Sequence, residues 1–246
     1  MGITFPGESD DDRAARKRLL AAEFDLRRAT ERVAELRRAL PPGGTIPEDF
    51  LFDGAYPGQA PAPVAMSELF EGGKPSLVIY SFMFPRDPGD RRPGPARGKT
   101  ALLPLIAGPC PSCVALIDQL EGAAEHAAPL INLAIAVRAP LPLVLEFAEV
   151  RGWRRIRLLS TAGNTYSADY HAVTPEGRPV PMLNVFTRDG DAVRHFWGSE
   201  LFYEPAEPGQ DPRHVGTLEP FWNLLDLTPE GRRPDWGELL AYGPEG

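Results

Sequence analysis

Residues 76–84 read Ser-Leu-Val-Ile-Tyr-Ser-Phe-Met-Phe, a nearly continuous apolar run rich in β-formers. Such a run has no polar side to turn to water. It predicts a strand buried on both faces, inside a sheet that helices cover. Residues 130–137 repeat the signal, and residues 156–160 give a shorter strand. Helical patterns separate these strands: Val114, Ile117, Leu120 and Ala124, then Leu141, Val144, Leu145 and Ala148. Alternating strands and helices with right-handed crossovers build a parallel core. Residues 180–188 and 192–197 then read as two strands closed by Asp189-Gly190, a tight-turn signal that adds an antiparallel edge. A short amphipathic helix over 217–227 is expected to cap the sheet. The pattern predicts an α/β fold: a central mixed sheet flanked by helices.

The chain divides into three parts. Residues 1–44 are read as an N-terminal helical extension, with one long helix over 10–40. Asp10, Asp11 and Asp12 suit the positive end of its dipole, and Pro41-Pro42-Gly43-Gly44 stops it. Leu19, Leu26, Val33 and Leu40 repeat every seven residues, with Ala22, Ala29 and Leu36 between them. The favoured reading lays this stripe along the helix's own domain; pairing in a homodimer is the alternative, since the heptads are few and rich in alanine. Residues 45–228 form the main domain. It opens with a Pro/Gly-rich connector over 45–63 that carries Phe50-Leu51-Phe52. Residues 86–99 are Pro, Gly and Arg with little that is apolar, which predicts an exposed, mobile loop. Residues 229–246 read as a polar, loosely held tail.

Composition narrows the function. Hydrophobic residues make up 43%, enough for a sizeable core. The net charge of −8 makes nucleic acid a poor partner. No segment approaches the roughly 18 apolar residues that span a bilayer, so no membrane partner is expected. Residues 1–12 carry neither a basic nor an apolar region of the kind a signal peptide needs, which places the protein in the cytoplasm.

The chain has two cysteines, Cys110 and Cys113, three positions apart. Two cysteines placed at random in such a chain take this spacing about one time in a hundred. In a reducing compartment a permanent disulfide is disfavoured, so the spacing points to redox or metal chemistry. The pair follows a buried strand and opens a helix. There, free backbone N–H groups and the helix dipole stabilise a thiolate. Cys110 is then the nucleophile and Cys113, one turn on, the resolving thiol. Pro111 suits the first helical position; Ser112 has no assigned role. The strand order together with this dithiol predicts the peroxiredoxin-like branch of the thioredoxin-like fold. In that fold a cis proline faces the dithiol, and Val180-Pro181 stands before the right strand. Val180 and Pro181 are therefore expected to bind substrate through a free backbone.

The chain resembles a bacterial thioredoxin-like family of unknown function, whose members are predicted dithiol–disulfide oxidoreductases or isomerases. The likeness rests on residues 14–20, 69–84, 108–113, Val137-Arg138-Ala139-Pro140, Gly152-Trp153, 183–195, Leu225-Asp226-Leu227-Thr228-Pro229 and Gly231-Arg232. It spans nearly the full length. It departs from the family pattern in a longer 85–108 loop and in lacking acidic or aromatic residues before the first cysteine. The resemblance implies thiol–disulfide exchange with a protein or small-molecule disulfide and no bound cofactor.

Rival chemistries fit less well. A zinc site needs two of His126, His171, His195 and His214, and none of these pairs has ligand-like spacing. A thiol peroxidase would want a hydroxyl three residues before Cys110, where Ala107 stands. No Gly-x-Ser-x-Gly marks a hydrolase. A thioredoxin fold that has lost its redox role and serves as a binding module is the remaining competitor.

Overall fold

The computed structural model describes residues 3–208, 219–231 and 236–242. They fall into two compact units, one ending at Pro42 and one beginning at Gly43. The first is built on α1 (Asp10–Arg38), whose Ser9 and Asp12 form a capping box. No residue of α1 is buried, and Leu19, Leu26, Val33 and Leu36 stand exposed.

The second unit holds a seven-stranded sheet in the order β2-β1-β5-β4-β3-β6-β7. The strands are β1 (Leu51–Ala55), β2 (Ala62–Ala65), β3 (Ser76–Phe82), β4 (Asn132–Val137), β5 (Arg157–Ser160), β6 (Leu183–Asp189) and β7 (Ala192–Gly198). β3, β4 and β5 run parallel, as the apolar runs predict. β6 joins β3 antiparallel and β7 joins β6, the expected hairpin edge. The thioredoxin-like, mixed-sheet α/β architecture is the one the sequence pattern implies. β1 and the start of β2, however, come from the stretch read as a connector; the two strands pair antiparallel with each other, and β1 pairs with β5. Prolines and glycines hide this hairpin in the sequence.

Side-chain alternation splits the core into two layers. On one face Tyr80, Phe82, Ile135, Val137 and Leu158 pack beneath α2 (Pro111–Ala127) and α3 (Leu141–Arg151). On the other, Leu77, Ile79, Ala134, Ala136 and Leu159 meet Phe50, Phe52, Tyr166 and Phe186. Tyr166 belongs to the short α4 (Tyr166–Asp169). The helix expected over 217–227 is seen as α5 (Pro220–Leu225); residues 217 and 218 lie outside the described residues. Among the described residues no helix is long and apolar enough to cross a membrane.

Two further expectations need correction. The 86–99 stretch is not simply exposed: Arg86 is 1% exposed and its N–H donates to the Gly108 carbonyl at 2.9 Å. Nor are residues 236–242 loosely held, because Leu240 is buried in the same apolar cluster as the cysteines. In both cases one or two side chains, invisible to composition, secure a segment that is otherwise polar.

Helix α2 is moored by its own carboxylates. Glu121 accepts from the backbone N–H groups of Arg154 (2.7 Å), Arg155 (2.8 Å) and Ile156 (3.2 Å). Asp118 accepts from Trp153 Nε1 at 2.8 Å and pairs with Arg151. Replacing Glu121 with Ala strands three backbone donors, and urea denaturation should show a loss of about 1–3 kcal/mol.

Candidate dithiol site

Cys110 occupies the position just before α2, with extended backbone, and Pro111 takes the first helical position. The Cys110 carbonyl accepts the helix's opening hydrogen bond from Val114, at 3.0 Å. Its own N–H donates to Met83, directly after β3, at 3.0 Å. The dithiol therefore sits at the carboxyl end of a central parallel strand, where open α/β sheets place reactive groups. The two cysteines are 3.6 Å apart and not bonded to each other.

Both sulfurs are buried, Cys110 at 2% and Cys113 at 1% exposure. Their environments nonetheless push them apart. Cys110 is lowered to about 7, chiefly by the hydrogen bond from the Cys113 thiol, with help from the Cys113 N–H and the Arg92 guanidinium; burial and Asp90 oppose this. Cys113 is pushed well above the ordinary thiol value, first by burial and then by donating to Cys110. The Tyr80 hydroxyl, at the inner face of β3, donates to Cys113. One thiol is ready to ionise while its neighbour keeps its proton, which suits attack by the first and later resolution by the second.

Arg92 is the charge beside the nucleophile. Its Nη2 lies 3.8 Å from Cys110 Sγ. Asp90 grips it through Nε at 3.0 Å and Nη2 at 2.8 Å. Its Nη1 donates to Ser112 Oγ at 2.8 Å and to the Glu238 carbonyl at 3.2 Å. Arg86 stands behind it: Nη1 donates to the Arg92 carbonyl at 2.6 Å, while Nε and Nη2 have no hydrogen-bond partner among the described residues.

The sequence reading found Cys110 and Cys113 but missed Arg92, Asp90, Arg86, Tyr80 and Glu238, and it gave Ser112 no role. Tyr80 had a signal: a tyrosine in the inward phase of a buried strand needs a partner for its hydroxyl. Arg92 had none that separates it from Arg91, and Glu238 lies far along the chain.

Val180 and Pro181 do not take the expected form. Among the described residues the cis peptide is Phe84–Pro85, and Val180–Pro181 is trans. The Val180 backbone is also occupied: its N–H donates to Ala172 at 2.8 Å, and its carbonyl accepts from Met182 at 2.9 Å. The 172–180 segment closes on itself, with Val173 paired to Pro179, and so uses the groups a substrate would have needed. His195, in the edge strand β7, pairs through Nε2 with Asn184 Oδ1 at 2.9 Å.

Fold and site together define a thioredoxin-like protein with a dithiol at the start of a helix. The chain belongs to the family described as "Bacterial protein of unknown function (DUF899)", which matches residues 4–242. No curated protein matches it in sequence. Among solved structures it is similar to the mitochondrial 2-Cys peroxiredoxin of Plasmodium falciparum (12% identity, 79% of this chain and 99% of that one, TM-score 0.42). It is also similar to Plasmodium yoelii thioredoxin peroxidase I (13%, 80% and 99%, 0.43) and to a mutant of Xanthomonas campestris peroxiredoxin Q (9%, 72% and 90%, 0.42).

The value near 7 gives a signed pH dependence. Below it Cys110 is a thiol; above it a thiolate. Alkylation of the reduced protein should accelerate from pH 6 to 8 and then level off, and Cys110→Ser should abolish the transition. Arg92→Ala removes a nearby positive charge and should move the midpoint upward.

Proposed function

We propose that this protein is a thiol–disulfide oxidoreductase in which Cys110 attacks and Cys113 resolves. The observation that carries the proposal is the divided pair: two thiols 3.6 Å apart, one lowered to about 7 and the other raised. The Cys110 thiolate attacks one sulfur of a disulfide R–S–S–R′. A mixed disulfide forms, and R′–S⁻ leaves and takes a proton. Cys113 then gives up its proton and attacks Cys110 Sγ, closing the Cys110–Cys113 disulfide and releasing R–S⁻. Two electrons pass from the dithiol to the substrate, and a second dithiol restores the reduced form. Arg92 offsets the charge on Cys110 at the outset and on the departing thiolate of the first step. The reaction needs no cofactor.

A thiol peroxidase is the second reading, favoured by one feature. Arg86 Nε and Nη2 are buried donors without an acceptor among the described residues, and the positive charge of Arg86 acts on Cys110. They can hold a peroxide oxygen even though Ala107 offers no hydroxyl. Thiolate attack on that oxygen would form a sulfenic acid and expel an alcohol or water, and Cys113 would condense with the sulfenic acid to release water.

Oxidised glutathione tests the exchange reading. Cys113→Ser should accumulate a mixed disulfide at Cys110, visible by intact mass, whereas the unaltered protein should pass through to its internal disulfide. Loss of hydrogen peroxide with no reaction toward oxidised glutathione would favour the second reading.

A further inference from the structure

The dithiol is covered, and one carboxylate fastens the cover. Arg92 lies against Cys110, and residues 236–242 lie against Arg92. A Cβ added at Gly237 would stand 3.4 Å from Arg92 Nη1. The next residue, Glu238, is 3% exposed. Its Oε2 accepts from Ser112 Oγ at 2.7 Å and faces Arg92 Nη1 at 3.4 Å, while Oε1 accepts from Trp222 Nε1. Two residues on, Leu240 is buried in the apolar cluster that holds both cysteines, and its carbonyl accepts from Arg151 Nη1 at 2.6 Å. One buried carboxylate thus gathers donors from the 86–99 stretch, the first turn of α2 and helix α5.

We propose that Glu238 is a positioning residue that sets the specificity of the dithiol, seating residues 236–242 over Cys110 so that only small reactants reach its sulfur. The proposal rests on Cys110 being the reacting thiol, and it names the substrate class: low-molecular-weight disulfides rather than folded proteins. A folded protein presents its disulfide on a broad surface, which cannot approach a sulfur beneath an arginine and a strand of backbone. A small disulfide needs only local movement of the Arg92 side chain, whose chain is 28% exposed. The fastening is charge-assisted and comes entirely from donors, so no neutral residue replaces it. Even glutamine would turn an N–H toward Trp222 or toward the Ser112–Arg92 side.

Paired reagents of one chemistry test this on the reduced, full-length chain. N-methylmaleimide is small, and a polyethylene-glycol maleimide is bulky. The ratio of bulky to small modification rates at Cys110 is the readout, because a purely structural loss of stability does not single out one reagent. Glu238→Ala should raise that ratio by ~10-fold or more, with Cys113 still protected. Trp222→Phe keeps an aromatic ring but loses the N–H, and it should raise the ratio by a smaller factor. A ratio within about twofold of the unaltered protein in both variants would overturn the proposal, as would modification of Cys113 in step with Cys110. An unaltered protein in which N-methylmaleimide never modifies Cys110 would overturn the dithiol reading itself, and with it this proposal.

Discussion

A thiolate as deeply buried as Cys110 has lost most of its hydration, and its charge must be met by the groups around it: the hydrogen bonds from Cys113 and the guanidinium of Arg92, whose Nη2 lies 3.8 Å from the sulfur. Burial pushes the thiol upward, and the hydrogen bonds from Cys113 together with the charge of Arg92 bring it back down. The arrangement around the pair follows from this requirement. Asp90 fixes the planar fork of Arg92. Ser112, one residue into α2, receives one of its N–H groups and passes a hydrogen bond on to Glu238. The helix start adds the Cys113 N–H and thiol, which do more for Cys110 than the guanidinium does. Arginine suits the post better than lysine would, because a single flat cation reaches a sulfur, a hydroxyl and two carboxylates at once.

Burial and reactivity pull against each other here. A dithiol that exchanges with proteins is better placed at the surface, yet both sulfurs of this one are almost fully covered. What lies over them is fastened by hydrogen bonds to charged groups, with Leu240 as its apolar anchor. Such a cover can open at one carboxylate while the sheet beneath stays intact. The site can therefore be both shielded from unwanted partners and open to reactants of limited size.

The sheet was legible where its strands are apolar on both faces. β3 and β4 follow directly from residues 76–84 and 130–137, because covered strands cannot hide their composition, and the β6–β7 hairpin follows from the Asp189-Gly190 turn between its strands. β1 and β2 are not legible, since Pro57, Pro61 and Pro63 follow a short apolar patch that becomes a strand only by pairing with β2 on one side and β5 on the other. The two cysteines were legible from spacing and placement. Their surroundings were not: Arg92 sits in a stretch of arginines and prolines, and Glu238 in an acidic, polar ending. Those contacts are tertiary, with partners that leave no local pattern. The cis proline was assigned to the wrong bond for a related reason. Strand order brings residues 180–181 toward the end of β3, but only the folded 172–180 turn shows that the Val180 backbone is already used.

In the proposed reaction Cys110 and Cys113 cycle between dithiol and disulfide within one chain. Equilibrating the protein across a series of reduced-to-oxidised glutathione ratios, quenching with acid and weighing it intact tests this directly. Two dominant species are expected, differing by two hydrogens, that interconvert reversibly across the series. A protein that keeps both thiols at every ratio, or that collects glutathione on Cys110 while Cys113 stays free, would contradict it.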